Sequence, residues 1–168
     1  MAELLGLIGS VIAIAQIAGA AIKLSQSLHR TAHYAGSAKE DMQAFAMDIS
    51  AFASIIRVAH DSIRRQCEKE SNSSVLQFLD KYEILGHLVQ QSARIRRHIE
   101  VVRPQVQDLR GRLSLINRVR WGWNKREEVK ALHPEMECIK TNLLLIMHVM
   151  ALELAGKGEQ SDATRKEM

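Results

Sequence analysis

A chain of 168 residues and 18.9 kDa suits one domain that buries a core without disulfides or a structural metal. Its apolar content is mostly Ala, Leu, Ile, Val and Met, with 4% aromatics and two prolines, which excludes a strand-rich sandwich or barrel and predicts an all-α fold. The net charge of +4 is uneven, because Arg94 to Lys130 holds eleven Lys and Arg against four acids and the remainder is net acidic.

The first element is an apolar helix. From Leu4 to Ile22 nineteen residues carry no charge, with Glu3 before them and Lys23 after, a length that could span a bilayer. Ala18-Gly19-Ala20 imitates a signal-peptide cleavage site, but an export signal needs Lys or Arg ahead of its apolar run, and here stands Glu3. Three Gly, Ser10 and Gln16 lower the hydrophobicity, and the apolar face continues through Leu24 and Leu28 to about Tyr34. The expectation is a central core helix, apolar nearly all round because neighbours surround it. Gly6, Gly9, Ser10, Ala13, Gly19 and Ala20 would let those neighbours approach closely. The same helix would suit a membrane if it were released from the bundle.

The second helix, over about 38–67, opens with a capping-box pattern at Ser37-Ala-Lys-Glu40. Met42, Phe45, Ile49, Phe52, Ile56, Ala59 and Ile63 recur at steps of three and four, the seam of a bundle helix. The polar run from Arg64 to Ser73 reads as a loop. Ser74 to Gln77 repeats the capping pattern and starts a third helix over about 75–103, with Leu76, Leu79, Tyr82, Leu85, Leu88, Ile95, Ile99 and Val102 on one face. Pro104 should end or kink it, and a fourth, shorter helix carries Val106, Leu109, Leu113 and Ile116. A basic connector, Arg118 to Arg126, holds both tryptophans. A last helix from about Lys125 runs through Met136, Ile139, Leu143, Ile146, Met150 and Leu154, and residues 156–168 read as a polar, disordered tail. The organisation is a bundle over 1–155, antiparallel, of four to five main helices.

No chemistry-bearing motif stands out. The chain has no GxxxxGK[ST] or GxGxxG phosphate loop. His29 and His33 share a helix face at i, i+4 but lack a nearby third ligand, so no metal site is expected. Cys67 with His60, or Cys138 with His133 and His148, lacks a catalytic signature; the two cysteines, without a CxxC partner, read as half-buried structural thiols in a reducing cytoplasm. No catalytic residues, cofactor or enzyme activity are expected. The basic connector fits anionic lipid headgroups better than nucleic acid, since Trp121 and Trp123 favour a water–membrane interface and no recognition helix is visible. Its bland alternative is a solvated, salt-bridged face with both rings packed on the bundle.

The opening MAELLGLIGSVIAIAQIAGAAIKLSQSL, the Arg120-Trp121-Gly122-Trp123 connector with its basic flank, and the Cys138–Ile146 run CIKTNLLLI together resemble the fungal HeLo-like N-terminal domains. These stand at the front of NOD-like, STAND-type receptors, and the family includes the N-terminal domain named after an azaphilone-pigment cluster protein. The resemblance covers about residues 1–155. It implies a helical bundle acting in signalling or programmed cell death, similar in architecture to the four-helix killer domain of the necroptosis pseudokinase. It also implies an N-terminal segment released into membranes on activation. Members usually continue into a nucleotide-binding domain or ankyrin-type repeats; the short tail here suggests a stand-alone version, a truncated product or a fragment.

The resulting expectation is a non-enzymatic effector or adaptor module, cytoplasmic and recruited to membranes on activation. Leu4, Leu5, Leu7, Ile8, Val11, Ile12 and Ile14 are the insertion candidates. Arg118, Arg120, Trp121, Trp123, Lys125 and Arg126 are the candidates for headgroup or partner contact. Partners would be proteins, further copies of the chain, or an anionic membrane surface. The alternative is a purely structural protein–protein interaction domain that oligomerises without membrane activity.

Overall fold

The uncharged N-terminal run folds as part of one helix, α1, over Ala2–Ala32. In the computed structural model, which describes residues 2–69, 73–109, 121 and 126–166, all regular structure is helical. After α1 a 3-10 turn at Gly36–Ala38 leads into α2 (Lys39–Lys69), α3 (Ser74–Lys81) and α4 (Ile84–Asp108), then α5 (Arg126–Lys130) and α6 (Leu132–Lys166). Gly36 takes φ 57° in the corner between α1 and α2, a left-handed conformation that a side chain would strain.

α1 packs against α2 and α4, and each of those packs against α6, so the four long helices form a ring with α1 and α6 at opposite corners. Directions follow from paired residues. Ser25 reaches Ala46, and Ile12 lies beside Cys67, so α1 and α2 are antiparallel. Gln16 meets Arg96 and Ser27 meets Gln107, so α1 and α4 run parallel. Asp41 pairs with Arg126 near one end while Gln66 lies beside Met150 near the other, so α2 and α6 also run parallel. The bundle is therefore not antiparallel throughout, because α2 and α4 occupy diagonal corners.

Several boundaries differ from those the pattern predicts. The polar run after Ile63 stays helical to Lys69, since Gln66 and Cys67 are buried and Arg64 pairs with Glu68 one turn on. The capping box at Ser37 is replaced by the 3-10 turn, whose N-cap position, Ala35, has no side-chain cap; the Lys39 N–H donates to the Gly36 carbonyl. The expected third helix is two helices, broken at Tyr82 and Glu83, and Tyr82 is exposed rather than on the buried face. Pro104 lies inside α4. The bond it removes would end on the carbonyl of Glu100, on the exposed side, where water can replace it. Val106 consequently belongs to α4 and Leu109 caps it, while Leu113 and Ile116 lie outside the described residues. Pro134 sits in the first turn of α6, where its missing N–H has no acceptor within the helix. α6 also continues to Lys166, through residues read as a disordered tail; each added residue extends an existing ladder and needs no new nucleus.

Candidate functional site: the first helix and the apolar faces of the bundle

Of the insertion candidates, Val11 and Ile14 are 3% exposed and belong to the core with Ile17, Ala21, Leu24 and Leu28, whereas Ile12 is 49% exposed. The side chains of Leu4, Leu5, Leu7 and Ile8 lie outside the described residues, although their backbone is helical. Among the described residues, polar ties from α1 to its neighbours are few. Ser25 Oγ donates to the Ala46 carbonyl (2.6 Å) and Thr31 Oγ1 to the Val106 carbonyl (3.3 Å). Gln107 Nε2 donates to Ser27 Oγ (3.2 Å), and Arg96 donates to Gln16 Oε1 (2.6 Å). Apolar contact is the main hold on this helix. Close approach is not the reason for Gly9 and Gly19: a Cβ at either would meet nothing within 4 Å. The small residues of α1 that are fully buried are instead Ala18 and Ala21, at 2% and 0% exposure, with Ala32.

The basic connector is placed in part. Trp121, expected at a membrane interface, is 2% exposed and packs its ring edge-to-face on Phe45 at 6.1 Å. Burying so large a ring against the half-buried Phe45 accounts for that position, and in this conformation the ring is core and not a headgroup contact. Arg126 is half-exposed and pairs with Asp41 at 3.1 Å, which ties α5 to the start of α2. Arg118, Arg120, Trp123 and Lys125 lie outside the described residues.

The weaker chemical signals stay apart. His29 and His33 stack edge-to-face at 5.5 Å, and among the described residues no cluster of three metal-ligating side chains includes them. Burial pushes the Cys67 thiol up, away from the thiolate a nucleophile needs. The neighbouring His60 ring bonds Asp61 at 3.0 Å, an arrangement that lowers the Asp61 carboxyl. Cys138 is exposed, not half-buried, and receives only a weak contact from Asn142 at 3.7 Å.

The sequence pattern does not reveal which apolar helix is covered. Among the described residues three stretches are long and apolar enough to cross a membrane: Gly9–Ala32, Lys39–Glu68 and Arg126–Lys157. The third has the highest mean hydropathy, 1.5, and the smallest buried share, 22% against 44% for the first. On its outward side Leu144, Leu145, Val149 and Leu152 are all more than 40% exposed. The signal was present as an absence: from Leu143 to Gly156 the chain has one charged residue, Glu153. That carboxylate is occupied, taking Ser73 Oγ at 2.5 Å and the backbone and hydroxyl of Ser74 at 2.7 and 2.9 Å. Searches of known proteins place no relative beside this arrangement: no family model, no curated protein and no solved structure matches the chain.

Proposed function

We propose that this chain is a non-enzymatic effector or adaptor module of the HeLo-like, NOD-like-receptor type, in which α1 is a membrane-seeking helix stored in the bundle. The observation that supports this reading is the contrast between α1's composition and its attachment. A stretch able to span a bilayer sits between two helices with four side-chain hydrogen bonds among the described residues, two of them ending on backbone carbonyls. Residues 9–32 of α1 carry no carboxylate to strand, and leaving the bundle would carry their apolar surface to lipid, where that surface is equally well accommodated.

The test keeps the whole chain, because Val11, Ile14, Ile17 and Ala21 are core and deleting residues 1–22 would remove them. Ile12 is half-exposed, so Ile12→Glu leaves the bundle folded while placing a charge in the inserting segment. That charge costs about 2.5–3.5 kcal/mol at the centre of a bilayer, roughly a hundredfold in partition. Co-sedimentation with phosphatidylserine-containing vesicles should fall by about that factor in the variant. A folded Ile12→Glu protein that sediments with vesicles as the parent does would sink the reading.

The outward face of α6 favours a second reading, self-association without membrane activity. The exposed leucines and Val149 form a charge-free patch, and two copies could meet there without bringing like charges together. Failure of the parent chain to bind any vesicle, with dimers in sedimentation equilibrium, would decide for this alternative.

A further inference from the structure

Between α1 and α4 runs an open groove of about 440 Å³, lined by Gln16, Gly19, Ala20 and Lys23 on one side and Arg96, Ile99, Glu100 and Arg103 on the other. The two helices are parallel, and Gln16 is level with Arg96, their side chains bonding at 2.6 Å. Seven residues further along each helix, two turns and about 10 Å up the groove, Lys23 comes level with Arg103.

The lower end of the groove is neutralised. Arg96 donates to Gln16 and pairs with Glu100 at 3.3 Å. The upper end is not: among the described residues neither Lys23 nor Arg103 has a carboxylate partner, and the Arg103 Nε–H is buried with no hydrogen-bond acceptor. A guanidinium N–H out of contact with water and unpaired costs stability, and a second cation level with it adds repulsion. Room for a counter-ion exists, since Gly19 has open space where a side chain would stand. Fork-shaped Arg and point-charge Lys together match an anion with several oxygens and two negative charges.

We propose that Lys23 and Arg103 bind a phosphate monoester dianion that bridges α1 and α4. The ligand accepts from the Arg103 guanidinium and from the Lys23 ammonium, with Gly19 and Ala20 as its floor. The site stands on the groove alone and does not depend on α1 ever leaving the bundle. If α1 does leave, the bound phosphate is a tie that must first be released.

Inorganic phosphate is the probe, compared with chloride at matched ionic strength, on the full chain and on Lys23→Gln, Arg103→Gln and Arg57→Gln. The last removes one exposed cation from α2, away from the groove. At a hundred times the dissociation constant phosphate should raise the unfolding midpoint of the parent and of Arg57→Gln by about 5–10 °C. Lys23→Gln and Arg103→Gln should lose most of that rise, and in chloride alone Lys23→Gln should melt no lower than the parent. Broadening of the ³¹P line well below the melting range should follow the same order and gives a readout that does not depend on variant stability. Competition by phosphatidate vesicles, but not by phosphatidylserine vesicles, would show the site serving a lipid headgroup. Competition by glycerol phosphate alone would show it serving a soluble metabolite. Equal phosphate effects in all four proteins would overturn the proposal and mark a general ionic effect.

Discussion

Glu153 interrupts an otherwise uncharged run of fourteen residues, and its surroundings explain why a charge is tolerated there. Its side chain is 10% exposed. Burial by itself raises the carboxyl's pKa, but bonds from Ser73, from the Ser74 hydroxyl and backbone, and from Lys157 outweigh it and hold the group at about 2 against 4.5 for a free glutamate. The carboxylate also sits at the N-terminus of α3, where Ser73 caps the helix by accepting from the Leu76 N–H at 3.2 Å. One side chain thus links the last long helix to the first turn of α3. Because the folded pKa is the lower one, the stabilisation is present at neutral pH and is lost as pH falls from about 4.5 towards about 2. Glu153→Gln should cost about 1–3 kcal/mol at pH 7, and urea unfolding should show the gap between variant and parent closing across that acid window. An unchanged gap at pH 7 and pH 3 would mean that packing, not charge, is what the residue supplies.

Among elements, the break between α3 and α4 is the place where local chemistry and observed backbone disagree most. Glu83 holds φ 49°, ψ 27°, a left-handed conformation that costs a side-chain-bearing residue about 1–2 kcal/mol. It is kept because the Glu83 carbonyl accepts the His87 N–H at 3.0 Å and its own N–H donates to Asp80 at 3.0 Å, so both helices end on it. Glu83→Gly should relieve the strain, and after the added chain entropy of glycine the net gain should be about 0.5–1 kcal/mol in chemical unfolding. A loss of stability would show that the side chain holds the corner. This corner was not legible in the sequence, because Leu76, Leu79, Leu85 and Leu88 keep a helical spacing across it and the break falls on residues with no Gly or Pro to mark it. The stripes themselves were legible. Met42, Ile49, Phe52, Ile56, Ala59 and Ile63 are buried as their three-four spacing predicts, and so are Ile95, Ile99 and Val102. Pro104 predicts an end or a kink in its helix, and of these two outcomes termination does not occur: α4 continues to Asp108, and the lost bond faces solvent.

At the scale of the whole molecule, α1 and the Leu143–Gly156 part of α6 are both nearly free of charge, and only the ring of contacts distinguishes them. α1 lies between two partners with its face well covered, while α6 turns Leu145, Val149 and Leu152, at 60%, 41% and 59% exposure, to solvent. Periodicity reports that a helix is apolar, not how many neighbours it has, so α6 was invisible as a surface, and composition left Trp121 open between a membrane interface and packing on the bundle. An uncovered patch on the order of a few hundred Å² is the usual mark of an interaction face. It falls short of the roughly 800 Å² per partner in a standard stable interface, so a twofold pairing of α6 with its copy should be weak, with a dissociation constant in the micromolar range or above. Two changes on that face, Leu145→Glu and Leu152→Glu, would set carboxylates against each other across the twofold while leaving the buried side of α6, Leu143, Ile146 and Met150, untouched. Sedimentation equilibrium of the parent should show a concentration-dependent dimer, and the double variant should stay monomeric at tenfold higher concentration with an unchanged helical spectrum. If the parent is monomeric up to millimolar concentration, the α6 face is not a self-association surface. If the double variant still dimerises as the parent does, the contact lies on another face of the bundle.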